Sequence, residues 1–431
     1  MPDNKIKHVT VPGLRLHLRR GDPNMLWVNG RDLLLVNKTA ADFIEAFIEA
    51  MSGYSKEIDT GKFKQAIASN MQKKYPKVPA EVLIKDFDSI YGALLQVGKG
   101  DCPISEANLE TKETNPKAWT APPRMDLAIT YRCNNNCYFC YTGGPRKAAE
   151  LSTKEWKKAL DKLWESGVPQ VVFTGGEPTL RKDLVELVAH AKEFVTGLVT
   201  NGRRLSKLSG DLKRVDLDYV QVSLESHLPE IHDRMVGAKG AWKETREGIL
   251  AGLKTGLEVI TNTTLTKDNA QQFPALVEAG AALGLKIMAC NILICSGRGT
   301  GARKDMEVPI EEVKVILTQA REVATKVGVD LQWYSPTCYK QVNPIEFGFG
   351  AKACSAAQYN MTIEPDGSVI PCQSWMKEKV GNILKDPWEN IWNHPVCVGF
   401  REKAYLQDRE ECKESEHLQQ CYGGCPLEYS A

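Results

Sequence analysis

The chain begins with short apolar stretches that are separated by turn residues. These stretches predict three strands, at LRLHLRR, MLWVN and DLLLVN. The pattern then changes to a helical period over NKTAADFIEAFIEAM, where apolar side chains recur on one face. Two more helices are predicted at GKFKQAIASNMQKKY and PAEVLIKDFDSIYGALLQVG. Residues 1–98 are therefore expected to form a small α+β domain.

A polar segment at residues 99–124, rich in Pro, Asn, Thr and Gly, predicts a linker. From residue 125 strand and helix patterns alternate. The strands are expected at MDLAITYR, QVVFTG, GLVTN, DYVQVSLES, EVITNTTLT and KIMACNILI. The helices are expected to begin near Ser152, Asp183, Leu205, Trp242, Asn269 and Ile310. Six such units predict an α/β fold over 125–335, with functional residues at the carboxyl ends of parallel strands.

Regular periodicity fades over residues 336–431. One hairpin is predicted there, with Asp366 and Gly367 between the strand-like runs MTIE and SVIP. A segment with so little regular structure is expected to need metal to hold it.

Composition narrows the functional classes without naming one. Of the 431 residues 42% are hydrophobic and 25% charged, and the net charge is +1. This balance gives no electrostatic case for a nucleic-acid or membrane partner. The first residues, MPDNKIKHVTVPG, lack the apolar core of a signal peptide, and no run is long enough for a membrane span. A cytoplasmic location is expected.

The sequence contains 13 cysteines, an odd number without a secretion signal, which favours metal ligation over a disulfide framework. Three of them, Cys133, Cys137 and Cys140, lie in YRCNNNCYFCYTGG directly after the first predicted strand of the core. Four cysteines would close a structural metal site, whereas three leave one position open for chemistry. A zinc site with a distant fourth ligand, or simply buried cysteines, are the alternatives.

A second motif, TGGEPTL, follows the next predicted strand and contains Gly175, Gly176 and Glu177. Alone it would be an ordinary strand-to-helix turn. Together with C-x3-C-x2-C it resembles the radical S-adenosylmethionine (SAM) superfamily, from about Met125 to the end of the chain. The resemblance implies a partial (β/α)6 barrel in which the three cysteines hold a [4Fe–4S] cluster and its fourth position binds SAM. Reductive cleavage of SAM would give a 5′-deoxyadenosyl radical that abstracts hydrogen.

The resemblance also implies further contacts with SAM. Phe139 matches an aromatic residue behind the adenine, the GGE segment matches a partner of the SAM amino group, and Ser223 matches a strand-end polar residue. Relatives often have Asp where this chain has Glu225, so only Ser223 carries over from VSLES. Asn262 and Thr264 match a polar fifth strand, and Arg298 lies in a GRG segment that resembles the end of the sixth strand. Ordinary loop solvation is the alternative for Asn262, Thr264 and Arg298.

The C-terminal cysteines carry a second resemblance. The pattern C-x12-G-x4-C from Cys354 to Cys372 is similar to the start of a SPASM domain, which binds auxiliary [4Fe–4S] clusters. It implies one complete ligand set, formed by Cys338, Cys354, Cys372 and Cys425. A second set would have Cys412, Cys421 and a possible third ligand, Cys397, but Ser415 replaces one expected cysteine and the final one is missing. Buried thiols are expected at Cys290 and Cys295.

The N-terminal domain resembles PqqD-like domains, also called RiPP recognition elements, which are winged-helix-like and add a leader peptide to an exposed sheet edge. A structural cap on the barrel is the alternative.

Together the resemblances imply a radical SAM/SPASM maturase that oxidises or crosslinks a ribosomal peptide or protein, with a reductant such as ferredoxin or flavodoxin. Two alternatives remain: a radical enzyme for a small cofactor precursor such as a tetrapyrrole, and a non-catalytic iron–sulfur electron carrier. Cys338 or Cys397 could also be an acid–base residue that faces the substrate.

Overall fold

The computed structural model describes residues 6–11, 14–21, 24–29, 32–52, 60–99, 119–147, 149–406 and 416–428. The chain divides into two compact units. The first comprises Met1–Ala121, Leu163–Pro169 and Glu193–Val195, and the second comprises Pro122–Lys162, Gln170–Lys192 and Thr196–Ala431. The predicted domain limits stay predictions, and most of the predicted linker lies outside the described residues.

In the described residues of the first unit a four-stranded antiparallel sheet, ordered β1-β2-β3-β4, precedes three helices. Its strands are β1 (Ile6–Val11), β2 (Leu14–Arg19), β3 (Asn24–Val28) and β4 (Asp32–Val36). Its helices are α1 (Lys38–Ser52), α2 (Thr60–Lys74) and α3 (Ala80–Lys99). The prediction of three strands missed β1, which pairs with β2 along its whole length.

The core of this unit forms between the sheet and the helices. Leu14, Leu16 and Leu18 on one face of β2 belong to this core, and the apolar face predicted for α1 is buried against them. The ring of Phe47 lies 5.8 Å from that of Phe63 on α2, which ties the first two helices together. The period-2 pattern of the strand and the helical period of α1 thus meet in one cluster.

The second unit is built on a ten-stranded sheet with the order β11-β10-β9-β8-β7-β6-β5-β12-β13-β14. Its strands are β5 (Arg124–Thr130), β6 (Gln170–Gly175), β7 (Val195–Thr200), β8 (Tyr219–Ser223), β9 (Glu258–Leu265), β10 (Ile287–Ile292), β11 (Asp330–Trp333), β12 (Asn360–Ile363), β13 (Ser368–Ile370) and β14 (Gly381–Asn382). The strands from β7 to β11 pair in parallel, as do β5 with β6 and β12 with β5. All six strands predicted for the core are present, and β11 and β12 extend the sheet on either side.

Helices connect these strands as the alternating pattern predicted. They are α4 (Thr153–Glu165), α5 (Leu184–His190), α6 (Leu205–Arg214), α7 (Pro229–Val236), α8 (Ala241–Lys254), α9 (Phe273–Leu283), α10 (Arg298–Met306) and α11 (Ile310–Val327). The capping pair at the start of α4 is formed, because Glu155 accepts from the Ser152 amide at 2.8 Å and the Glu155 amide donates to Ser152 Oγ. The helices α7 and α10 were not predicted.

The C-terminal part contains short elements, as the loss of periodicity indicated. The helices among its described residues are α12 (Trp388–Trp392), α13 (Pro395–Arg401) and α14 (Leu418–Cys421). The predicted hairpin is present between β12 and β13, with Gly367 at a φ of +84° in the turn. Because β12 pairs in parallel with β5, this part joins the sheet beside the strand that precedes the cysteine motif. Among the described residues no helix is both long and apolar enough to cross a membrane.

Candidate active site

The loop that follows β5 holds Cys133, Cys137 and Cys140, each partly exposed. Burial raises the pKa of the Cys133 thiol to about 11, and Cys140 adds to the effect. Burial also raises the pKa of Cys137 well above its usual range, with further contributions from Cys140 and Cys133. The three sulfur atoms therefore lie near one another, in surroundings that oppose a bare thiolate. A bound metal centre would supply the positive charge that such thiolates need.

Polar groups of the loop are directed at these sulfur atoms. The amide of Asn135 donates to Cys133 Sγ at 3.4 Å, and the Thr142 hydroxyl lies 3.1 Å from Cys140 Sγ. From the end of β7, Asn201 Nδ2 lies 4.0 Å from Cys133 Sγ. Hydrogen bonds of this kind orient metal-bound thiolates and tune the metal.

The turn after β6 packs its main chain against the start of the cysteine loop. The amides of Gly176 and Glu177 donate to the carbonyls of Thr130 and Arg132 at 2.7 Å and 2.8 Å. A Cβ atom on Gly175 would lie 2.1 Å from the Thr130 carbonyl oxygen, and one on Gly176 would lie 2.5 Å from that of Arg132. Gly175 also has a φ of +132°. The two glycines allow this approach, which a larger residue would prevent.

The Glu177 carboxylate is fully buried and its bonds are made within the chain. It accepts from the amide and hydroxyl of Thr179 at 3.1 Å and 2.5 Å, from the Thr200 hydroxyl at 2.7 Å, and from the Asn201 amide at 2.7 Å. Burial raises the pKa of Glu177, although these hydrogen bonds act in the opposite direction. The carboxylate therefore connects the ends of β6 and β7. The predicted contact of this segment with the SAM amino group stays a prediction for its main chain.

Three predicted residues lie on neighbouring strands and face the same way. Ser223 ends β8 opposite Asn262 on β9, and Thr264 follows two residues later on the same face. Asn262 Nδ2 donates to Asn291 Oδ1 on β10 at 2.8 Å, whereas the buried Asn262 Oδ1 has no hydrogen-bond partner among the described residues. Asn291, which the sequence analysis missed, thus belongs to this polar surface. A buried acceptor without a partner fits a ligand that donates a hydrogen bond.

Glu225 is a second residue that the sequence analysis set aside. Its carboxylate is buried and accepts from the Thr264 amide at 2.9 Å. Burial raises the pKa of Glu225 to about 8, and this single hydrogen bond lowers it only in part. The Glu225 carboxylate is also close enough to Cys137 to raise the pKa of that thiol. The signal in the sequence was its place two residues beyond Ser223, where relatives often have Asp.

The GRG segment lies against the cysteine loop and begins α10. The prediction that it ends the sixth strand was therefore wrong. Arg298 Nη1 donates to Asn136 Oδ1 at 2.7 Å and to the Cys137 carbonyl at 3.2 Å, and its amide donates to the Cys140 carbonyl at 3.0 Å. A Cβ atom on Gly297 would lie 2.6 Å from that Cys140 oxygen. Arg298 therefore holds the cysteine loop in place by hydrogen bonds. Its predicted proximity to the adenine of SAM stays a prediction.

The predicted aromatic residue, Phe139, lies between the second and third cysteines and is half-buried. Its ring meets that of Tyr138 edge to face, with the centroids 5.3 Å apart. Its role behind an adenine also stays a prediction.

Of the C-terminal cysteines, three lie together. Burial and the neighbouring Cys354 raise the pKa of Cys372 to about 12. Burial, Cys354 and Cys372 raise the pKa of Cys425 well above its usual range. Cys338 is adjacent, because a Cβ atom on Gly424 would lie 2.7 Å from the Cys338 amide nitrogen. The structure thus brings the predicted set of four into one region.

The second predicted set is less complete. Cys412 lies outside the described residues, and Cys421 Sγ accepts from the Gly423 amide at 3.4 Å. Cys397 is buried in α13, where burial raises its pKa to about 12 and Arg401 lowers it. Two cysteines expected to be buried thiols, Cys290 and Cys295, are buried.

A single metal ion needs ligands that converge on one point. In the part of the chain that the structure describes, no three His, Cys, Asp or Glu side chains do so. An iron–sulfur cluster instead takes one thiolate at each of several irons, and three cysteines spread over one loop suit that arrangement. The donor set and the unpartnered Asn262 Oδ1 therefore fit a cluster with an adjacent ligand.

Comparison with protein families places this site in a known class. Residues 127–279 match the model of the radical SAM superfamily, and residues 354–422 match the model of SPASM, an iron-sulfur cluster-binding domain. The chain therefore contains a radical SAM domain and a C-terminal SPASM domain. This confirms both resemblances. A radical SAM domain implies a [4Fe–4S] cluster and SAM, and a SPASM domain implies at least one further iron–sulfur centre.

Two curated relatives match most of the chain. Fe-coproporphyrin III synthase of Methanosarcina barkeri is 29% identical over 323 residues, which are 68% of this chain and 81% of that protein. PqqA peptide cyclase of Xanthomonas oryzae pv. oryzae is 29% identical over 326 residues, 71% of this chain and 84% of that protein.

Solved structures share the fold. Streptococcus suis SuiB bound to its precursor peptide SuiA is 16% identical, with a TM-score of 0.67, over 98% of this chain and 96% of that one. A structure of anSMEcpe with bound AdoMet and the Kp18Cys peptide is 18% identical, with a TM-score of 0.56, over 70% of this chain and 89% of that one. The N-terminal resemblance to peptide-recognition domains stays a prediction.

Proposed function

We propose that this chain is a radical SAM maturase that modifies a residue of a ribosomally made peptide or protein by hydrogen abstraction. The observation that carries the proposal is the convergence of three partly exposed cysteines, the GGE turn and the polar ends of β8 and β9 in one unit. An electron carrier would need the cysteines but not the ligand-facing polar surface. An external one-electron donor such as ferredoxin or flavodoxin completes the proposal.

The cofactors and the chain have separate tasks in this proposal. The bound cluster and SAM supply one-electron cleavage of SAM and a carbon-centred radical. Cys133, Cys137 and Cys140 would hold the cluster, and Arg298 keeps their loop in place through Asn136. On the ligand side, the open Asn262 Oδ1 would accept a hydrogen bond from SAM.

The auxiliary centre belongs to the same proposal. Cys338, Cys354, Cys372 and Cys425 would hold one cluster. Cys354 contributes to the raised pKa of Cys372, both contribute to that of Cys425, and Cys338 lies beside Gly424. A second auxiliary cluster would use Cys412, Cys421 and Cys397. The position of Cys397 gives this cluster less support, because that thiol is buried beside Arg401.

The test of the catalytic part is anaerobic. Protein reconstituted with iron and sulfide receives SAM and dithionite, and 5′-deoxyadenosine is assayed. We expect wild type to form it and a Cys133→Ala, Cys137→Ala, Cys140→Ala variant not to. About four residual irons in the variant would fit one auxiliary [4Fe–4S] cluster, and about eight would fit two. Fully reconstituted wild type that forms no deoxyadenosine would favour the electron carrier.

A peptide substrate is supported by the edge of the N-terminal sheet. In the sheet order β4 lies at one edge, and its sequence is DLLLV. Leu33 is 39% exposed there, which is unusual for a large apolar side chain on an open edge. The opposite edge strand, β1, instead carries Lys7, which pairs with Glu45 and Glu49. An edge that is apolar from Leu33 to Val36 is the better template for an added strand.

The peptide part has its own test. A short open reading frame beside the gene would supply the candidate peptide, labelled for fluorescence anisotropy. We expect Leu33→Glu to weaken its binding at least tenfold, because a charge then lies at the added strand. Val315→Glu on α11, where the valine is 56% exposed, is the matched control and should bind normally. Equal binding by the two variants would contradict recognition at β4.

A second candidate is a tetrapyrrole substrate, which the similarity to Fe-coproporphyrin III synthase favours. It shares the cofactor chemistry and predicts deoxyadenosine formation stimulated by coproporphyrin. If the peptide encoded beside the gene stimulates deoxyadenosine formation and coproporphyrin does not, the substrate is the peptide.

A further inference from the structure

A row of polar side chains crosses three neighbouring strands of the core sheet. Arg124, the first residue of β5, lies opposite Gln170 on β6 and Asn360 on β12. Two residues further along β5, Asp126 lies opposite Thr362. Residues two apart on a strand share a face, so these five side chains form one polar surface. A sheet face in the interior of a domain is normally apolar, and this one therefore needs an explanation.

The Arg124 guanidinium is fixed on one edge and open on the other. Its Nε donates to Asp126 Oδ1 at 2.7 Å, where the Asp126 side chain is 1% exposed and that of Arg124 is 37% exposed. The two Nη atoms make no hydrogen bond to any residue that the structure describes. An arginine side chain presents five donors in a rigid fork, and the free edge can take both oxygens of a carboxylate.

Further polar groups surround this open edge. Burial lowers the pKa of Arg124, but Asp126, Tyr219 and Tyr334 raise it more, so both phenols lie near the guanidinium. Tyr219 accepts from Gln170 Nε2 at 3.0 Å, and its ring occupies space left by Gly197, where a Cβ atom would lie 2.4 Å from the ring.

Two buried polar atoms beside Arg124 also have no partner among the described residues. They are Asn360 Oδ1 and Thr362 Oγ1, both on β12. Buried polar atoms are normally satisfied by protein or by bound molecules, and these two therefore point to a polar occupant.

The same face leads towards the cysteines of the candidate active site. Tyr141, which follows Cys140 directly, has its pKa raised by burial and in part by Asp126 and Cys372. Its hydroxyl donates to Gln373 Oε1 at 3.3 Å, next to Cys372 in the sequence. A group bound at Arg124 would therefore be part of a molecule that reaches the space between the two sets of cysteines.

We propose that the open edge of Arg124, with the hydroxyls of Tyr219 and Tyr334, binds a carboxylate of the substrate. The Asp126 carboxylate on the other edge holds the fork in position and repels a dianion, so a singly charged carboxylate fits better than a phosphate. The carboxylate is an acidic side chain or the carboxyl terminus of a peptide. That it belongs to the substrate rests on the proposed function, whereas the binding itself does not.

The test measures binding without SAM or turnover. Reconstituted full-length protein is titrated with butyrate, which carries one carboxylate, and, separately, with its neutral counterpart butyramide. We expect wild type to bind butyrate at least tenfold more tightly. Arg124→Gln should abolish this preference, and Arg124→Lys should reduce it because the fork is lost while the charge remains. Arg214→Gln, at a surface arginine that is 75% exposed and paired with Asp211, is the matched control and should keep the preference.

A further pair of probes distinguishes the sources of the carboxylate. N-acetylglutamate methylamide carries only a side-chain carboxylate, and N-acetylalanine carries only a terminal one. Each is compared with its amide, and preference for either acid supports the subsite and identifies the source. Tyr334→Phe should lower the affinity for the preferred acid several-fold. This variant tests the proposal if Arg124→Gln does not fold.

The proposal is overturned if wild type binds the acids and amides equally, or if folded Arg124→Gln keeps the preference. The titration contains no SAM, so its result does not depend on the deoxyadenosine assay. A negative result in one experiment therefore does not contradict the proposal that the other experiment tests.

Discussion

The buried Glu177 carboxylate offers a sharp test of how the strand ends are held together. Glu177→Gln keeps the size of the side chain and replaces one oxygen by an NH2 group. One carboxylate oxygen accepts from Thr179 and Thr200, and the other accepts from the Asn201 amide. The least costly orientation of the glutamine keeps its oxygen towards the threonines. Its NH2 group then faces the Asn201 amide, donor against donor.

The magnitude follows from the bonds that this exchange loses. A hydrogen bond to a charged group contributes about 1.5–3 kcal/mol, and a buried donor left without a partner costs about 1–3 kcal/mol. Burial of the charge, which raises the pKa of Glu177, is relieved at the same time and offsets part of the loss. We therefore expect Glu177→Gln to lower the free energy of unfolding by about 2–4 kcal/mol.

The assay is urea unfolding of metal-free protein, followed by tryptophan fluorescence at constant pH. Glu186→Gln is the matched control, because Glu186 is 58% exposed and pairs with Lys157 on the surface. That change should alter the free energy of unfolding by less than about 1 kcal/mol. The reasoning would be refuted if Glu177→Gln unfolded like wild type and lost only SAM affinity. The carboxylate would then serve the ligand and not the strand ends.

Three further predictions concern the same surroundings. Gly176→Ala should lower iron retention after reconstitution, because its Cβ atom would meet the Arg132 carbonyl at 2.5 Å; iron content after gel filtration measures it. Arg298→Gln should speed loss of iron to a chelator, since the loop loses its bond to Asn136, whereas Arg214→Gln should not. Folded Glu225 binds a proton between pH 4.5 and about 8 that the unfolded chain has released, so stability falls as pH rises through this window. Thermal melts of metal-free protein should show that slope, up to about 1.4 kcal/mol per pH unit, and Glu225→Gln should remove it.

The parts of the fold that were predictable are those with a local pattern. The core strands from β5 to β10 are apolar runs bounded by turn residues, and each could be located without knowledge of its neighbours. In contrast, β12 is four residues long and pairs with a strand more than 230 positions earlier. The helix α10 has the sequence RGTGARKDM, with two glycines and little helical period. Its start is fixed by tertiary contacts with the cysteine loop, which no local signal reports.

The same division holds for the candidate site. The spacing of Cys133, Cys137 and Cys140 is a local feature, and so it could be recognised directly. The roles of Glu225 and Arg124 depend on burial and on side chains from other strands, which a single sequence does not reveal. Glu177 is the informative intermediate case. Its place after the strand β6 was predicted from the motif. The hydrogen bonds of its carboxylate to the neighbouring strand end were not predicted, and its part in SAM binding stays a prediction.

The loop of three cysteines is held from two directions by contacts that need no metal. From one side Glu177 fixes the Asn201 amide, and Asn201 Nδ2 in turn donates to Asn134 Oδ1 at 2.7 Å, next to Cys133. From the other side Arg298 bonds the carbonyls of Cys137 and Cys140. Such a loop loses little conformational entropy when a cluster binds, and the main cost is the deprotonation of thiols whose pKa burial has raised. Cluster assembly should therefore become more favourable as pH rises. Because Glu177 fixes Asn201, we also expect Glu177→Gln to lower iron retention after reconstitution.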